Sequence, residues 1–220
     1  VLAGRDLPLS DFRSRHGSVT EAVGYGKSLM LFHMLRLELG DETFVAGLRE
    51  FWGRMRFAAA SFADVRRAFE QASGKELGWF FQQWVTRTGA PEIRLRHARV
   101  AGADGRDLVL ALEQTQAGEP YRVRVPVAVT VEDAAEAVAA VVEMTGRTVE
   151  ATLPRLPGRP LRVDIDPGFD LFRRLDRNEI PPAMSQAFGA DKALVLLPSG
   201  APPPLAAAYR TLADALGRSG

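Results

Sequence analysis

Tyr25, Lys27 and Ser28, in the run Tyr-Gly-Lys-Ser, are the residues whose chemistry is least expected where they stand. A phenol, an ammonium and two glycines (Gly24 and Gly26) sit at the head of a stretch, Ser18 to Gly40, that otherwise reads as a buried core helix. A general core helix would carry none of them at its head. From the residues alone Tyr25 reads as an ordinary buried tyrosine, and Lys27 as a salt-bridge or packing residue. The other groups able to do chemistry are few. With no cysteine, the chain has no thiolate nucleophile, disulfide or cysteine metal site. Of the three histidines, His16 reads as a loop residue, His33 as a satisfied core histidine and His97 as a strand residue. None begins an HExxH, and no two are four residues apart.

The formal charge of +1 sets up no field that would recruit a polyanion, so no nucleic-acid partner is expected. No apolar run reaches the roughly 18 residues of a membrane span, and the first residues lack a signal-peptide pattern. A chain of 220 residues that starts without methionine reads as a piece of a longer protein or a processed form holding more than one domain.

The elements that must position Tyr25 come first in the chain. Ser18 with Glu21 reads as a capping box that opens the first helix, and the apolar residues from Leu29 to Leu39 cover most of its circumference, with Gly40 as a left-handed cap. Asp41 is placed to cap a second helix whose stripe is Phe44, Leu48, Phe51, Trp52 and Met55. Ser61 with Asp64 opens a third helix, closed by Gly74, and Leu77, Phe80, Phe81, Trp84 and Val85 mark a fourth that ends before Gly89 and Pro91. Four short-linked helices pack as antiparallel neighbours.

From Glu92 the period becomes two. Strands are expected around Ile93 and Leu95, Leu108 to Leu112, Tyr121 to Val131, Val138 to Met144, Thr148 to Leu153 and Leu161 to Ile165, which together predict an antiparallel sandwich. Pro126 should face an edge or bulge, since it has no N–H to give to a ladder. Ala193 to Gly200 reads as a buried strand and loop, and Leu205, Tyr209, Leu212 and Leu216 as a helical stripe, so the tail is expected to open a βα unit.

The order VGYGKSLMLFHMLRLELGDETFVAGLREFW, then FADVRRAFEQASGKEL, then FFQQWVTRTGAPEIRL resembles the end of the catalytic domain of the aminopeptidase N type (gluzincin) zinc metallopeptidases. Tyr25 and Lys27 stand where that family has its YxKG motif, Ser73, Gly74 and Leu77 where it has a turn before the last helices, and Trp84, Gly89 and Pro91 where it enters a β-sandwich. Gln114 and Asp166-Pro167 match a strand Gln and a closing Asp-Pro. Ser28 departs from the family's glycine. The resemblance spans about residues 18 to 170 and is weaker after 95.

It implies an α+β multidomain fold. Residues 1–90 would form a helical bundle, the thermolysin-like C-terminal subdomain of the peptidase; 91–167 an antiparallel β-sandwich; and 168–220 a short α/β tail. It also implies that Tyr25 donates its hydroxyl to the oxyanion formed when a peptide carbonyl is attacked, that zinc is the cofactor of the parent protein, and that a peptide is its substrate. The family's HExxH and later glutamate lie upstream of its tyrosine by more than the 24 residues that precede Tyr25. Zinc ligands and general base are therefore expected before Val1, and the chain alone is expected to be inactive, binding no catalytic zinc and self-associating through apolar surface. The alternative is a non-catalytic peptidase-like scaffold or peptide-binding module.

Overall fold

The structure is a computed structural model that describes residues 6–14, 17–180, 183 and 194–217, without the side chains of residues 18, 19 and 217. The described residues fall into two compact units, meeting in sequence at Arg174 and Leu175. The expected sandwich boundary at residue 167 thus lies seven residues short of the end of the first unit.

In the first unit α1 (Ser18–Glu21), a π-helical turn (Ala22–Lys27) and α2 (Ser28–Leu39) follow one another without a break. Then come α3 (Asp41–Met55), α4 (Phe62–Ser73), α5 (Gly78–Phe81) and a second π-helical turn, Gln82–Thr86. The Ser61–Asp64 capping box forms as expected: the Asp64 carboxylate accepts from the Ser61 amide at 2.9 Å and from its hydroxyl at 2.6 Å. Gly74 closes α4 with φ of 66°. The α3–α4 pair packs through Phe44 and Phe69, whose ring centroids are 5.4 Å apart.

The Ser18 side chain of the expected box lies outside the described residues; the burial of the tyrosine helix, the caps at Gly40 and Asp41 and the α3 stripe depart from expectation. The helix entry is closed by Thr20, whose hydroxyl accepts from the Gly17 amide at 3.0 Å and donates to its carbonyl at 2.9 Å. The tyrosine helix is not buried on most sides, because Leu31, Met34 and Leu35 face the core while Leu29 and Leu37 are exposed. Gly40 takes φ 80° and ψ 160°, not the left-handed helical cap, and Asp41 accepts from two Arg36 nitrogens at 2.7 Å instead of capping α3. The stripe of α3 is only half covered: Phe44, Phe51 and Met55 are half-buried, and Leu48 and Trp52 stay exposed.

The β-half is a sandwich of two antiparallel three-stranded sheets. Sheet one has the order β1 (Ile93–Ala101), β2 (Asp107–Gln114), β5 (Thr148–Leu153); sheet two has the order β4 (Val138–Met144), β3 (Val123–Val131), β6 (Pro160–Ile165). In β3 the alternate residues Val123, Val125, Val127, Val129 and Val131 are buried, which fixes its register because a slip of one residue would turn all five outward. Pro126 lies in a central strand, yet just beyond the last pair with β6, Val127 opposite Ile165. Its carbonyl takes the Asp166 amide at 2.7 Å, and its missing N–H falls where β6 has already ended.

Helices and sandwich share one core. Trp84 stacks on Tyr121 at 5.3 Å, and Gln83 pairs with the Arg122 backbone, giving its Nε2–H to the carbonyl at 2.9 Å and taking the amide at 2.7 Å. The segment after β6 also belongs here. Asp166, at φ 51°, accepts from the Asp170 amide at 2.7 Å and from Arg173 Nε at 2.8 Å, with both side chains of the ion pair fully buried. Burial pushes the Asp166 carboxyl up, against the Arg173 guanidinium and the backbone N–H groups that hold it down.

In the second unit Asp176 caps a short turn, Arg177–Glu179, and α6 runs Pro203–Gly217 with Leu205, Tyr209 and Leu212 on it. The strand expected at 193–200 does not form among the described residues. Leu194 to Leu197 are exposed and pair with no strand among the described residues, so the opening of a βα unit is not seen there.

Candidate functional site

Tyr25 sits inside the first π-helical turn, where one extra residue is fitted into the helix. Such turns are rare and recur at functional positions. Its ring meets the edge of Phe12 at 6.3 Å, and its hydroxyl makes no hydrogen bond among the described residues. The side chain is 60% exposed, so the water-poor setting expected for the phenol is not built by these residues. The two glycines beside it differ. A Cβ at Gly24 would come within 2.2 Å of the Phe12 ring, so Gly24 is the point at which segment 6–14 lies against the turn. A Cβ at Gly26 would meet nothing within 4 Å.

Lys27 points the other way. It is 2% exposed, and Nζ donates to the Arg87 carbonyl at 2.7 Å, just past the second π-helical turn. A cation at a helix C-terminal end satisfies an orphan carbonyl and opposes the negative end of the dipole. The ammonium also lies 5.6 Å from the Phe172 ring centroid. Burial pushes its pKa down; Asp6 opposes that shift and Arg87 adds to it. Asp6 in turn accepts the Leu7 amide at 2.9 Å and the Gly89 amide. The buried ammonium therefore ties the tyrosine turn to the last helical turn, with Asp6 holding the N-terminal segment against the same place. Sequence reading anticipated a salt-bridge or packing role for Lys27, but nothing in the polar run around Asp6 and Phe12 signalled that these residues reach the turn.

The histidines do not join this site. His33 is a third exposed and its Nε2 lies 2.8 Å from Asp170 Oδ1, which makes it a link between α2 and the segment after β6, not a core histidine. His97 lies 3.6 Å from Glu150 on the outer face of sheet one. His16 lies outside the described residues. Each pair offers one imidazole and one carboxylate. Among the described residues no three His, Cys, Asp or Glu side chains come together to hold a metal ion. The donors among the described residues do not fit a catalytic zinc. No helix among the described residues is long and apolar enough to cross a membrane.

Several known proteins that this mixed α+β chain resembles are aminopeptidases. No protein-family profile matches the chain. Aminopeptidase N of Lactococcus lactis subsp. lactis is 35% identical over 72 residues, 33% of this chain and 8% of that protein. Alanine/arginine aminopeptidase of Saccharomyces cerevisiae is 27% identical over 104 residues, 42% of this chain and 12% of that protein. The crystal structure of Legionella pneumophila aminopeptidase A in complex with aspartic acid matches 85% of this chain and 22% of its own, with a TM-score of 0.62 at 17% identity, a likeness of fold. The chain is thus similar to aminopeptidases over part of its length, and it spans about a tenth of the length of the curated relatives it matches.

Proposed function

We propose that this chain supplies the tyrosine-bearing wall and the β-sandwich brace of a zinc-dependent aminopeptidase that hydrolyses N-terminal peptide bonds, with Tyr25 as the oxyanion donor. The supporting observation is an exposed phenol on a turn anchored by a buried lysine, with a hydroxyl that makes no hydrogen bond among the described residues. A free, positioned O–H donor strengthens its bond as the carbonyl oxygen gains negative charge, and one such donor contributes roughly 3 kcal/mol to lowering the barrier. Zinc, its ligands and the general base belong to the parent protein in this reading, and the 220 residues alone are inactive.

The test is Tyr25→Phe in the full-length protein that contains this segment. Turnover should fall about 100-fold or more, with zinc content and KM little changed. Unchanged turnover would remove Tyr25 from the chemistry. Stoichiometric zinc and peptidase activity in the purified 220-residue chain would refute its proposed inactivity. A parent lacking HExxH and a later glutamate would leave the scaffold or peptide-binding reading standing instead.

A further inference from the structure

The Tyr25 side chain makes no hydrogen bond of its own among the described residues, so its direction is inherited from the backbone that carries it. That backbone is a π-helical turn with two firm contacts. One is Gly24 beneath the Phe12 ring; the other is Lys27, fully enclosed and bonded to the Arg87 carbonyl at 2.7 Å. An enclosed position on an apolar helix is ordinarily filled by a leucine or methionine, because an ammonium loses its hydration there and recovers only part of it from one carbonyl, one ring face and a nearby carboxylate. A side chain held at that cost is one whose directional bond matters. The 2.7 Å hydrogen bond to a backbone carbonyl adds a directional restraint that an apolar side chain at this position would lack.

We infer that Lys27 is a positioning residue for Tyr25, its bond to the Arg87 carbonyl fixing the rotation of the 22–27 turn and hence the place of the phenol oxygen. The inference rests on the reading of Tyr25 as oxyanion donor and adds a second residue that touches no substrate.

The experiment is a double-mutant cycle in the full-length protein with Lys27→Met, Tyr25→Phe and both together. Lys27→Met should lower kcat by about 10- to 100-fold, the penalty of displacing a catalytic group by up to about 1 Å, and leave KM within about twofold. On the Tyr25→Phe background it should cost less than about twofold, since the group it positions is gone. Equal losses on both backgrounds would show a general structural role and overturn the inference, as would an unimpaired Lys27→Met beside an impaired Tyr25→Phe. A Tyr25→Phe protein with normal turnover would sink the reading of Tyr25 and this inference with it.

Should Lys27→Met fail to fold, Asp6→Asn carries the same cycle, because it removes the negative charge that favours the ammonium and keeps an acceptor for the Gly89 amide. In the 220-residue chain, amide exchange across residues 22–27 should speed up about tenfold or more in Lys27→Met, a shift read through local opening. Unchanged protection there would also overturn the inference.

Discussion

Replacing Gln114 by leucine should remove a large part of the stability of the first unit. Gln114 is fully buried at the end of β2, where sheet one meets the start of sheet two. Its Nε2 donates to the Tyr121 carbonyl at 2.7 Å and the Gly146 carbonyl at 3.1 Å, while its Oε1 accepts from the Tyr121 amide at 2.8 Å and from Gln116 Nε2 at 2.9 Å. Leucine fills nearly the same volume and leaves four polar groups without their partner. Gly146 is half-exposed and can turn to water, but Tyr121 and Gln116 are buried. Three buried groups at about 1–3 kcal/mol each give a loss of roughly 3–9 kcal/mol, against a total stability of about 5–15 kcal/mol for a domain.

The assay is urea unfolding followed by tryptophan fluorescence with Trp52 and Trp79 replaced by phenylalanine, so that Trp84, stacked on Tyr121, reports on this junction. Gln114→Glu separates hydrogen bonding from packing. An ionised carboxylate has no donor for the Tyr121 and Gly146 carbonyls, so this variant should be weak at neutral pH and recover as the acid is protonated. A Gln114→Leu protein within about 1 kcal/mol of the wild type, with an unchanged urea slope, would refute the argument, because buried unpaired amides and carbonyls cannot be that inexpensive.

Two further outcomes can be checked. Gly24→Ala should destabilise the chain by about 1–3 kcal/mol, since its methyl group would lie 2.2 Å from the Phe12 ring, whereas Gly26→Ala, with nothing within 4 Å, should gain up to about 1 kcal/mol of helix propensity; paired thermal melts decide, and equal shifts would refute the close approach. The Lys27 ammonium has a folded pKa below its ordinary 10.5, so between those two values the unfolded chain binds the extra proton and stability should rise with pH toward 10.5. Lys27→Met should lack that rise, and a wild-type minus variant difference that is flat with pH would contradict the assigned direction.

What the sequence revealed follows from the range of the forces involved. The Ser61–Asp64 box closes within one helical turn, and it appears at the bond lengths that the spacing requires. The β-strands were legible because alternation is a property of five or so consecutive residues, and β3 shows it without exception. The tyrosine turn was legible only as an oddity. Apolar residues at helical spacing specify that a face is apolar, not what covers it, so Leu29, Trp52 and the run Leu194 to Leu197 look like core in sequence and stand exposed in the structure. Phe57, 98% exposed at φ 64° beside Trp52, marks the same limit.

The anchor of the site was hidden for a related reason. Lys27 reaches Arg87 across sixty positions and Asp6 reaches Gly89 across eighty-three, distances at which no pattern of neighbours carries a signal. One local clue did exist. A lysine between a tyrosine and a leucine-rich helix must either turn toward water or be buried with a partner. It is buried two residues after a tyrosine that is exposed, so the turn between them presents one polar group outward and locks the other inward. A core helix has no use for that division, whereas the proposed active-site wall, which must hold a donor still without touching its hydroxyl, does.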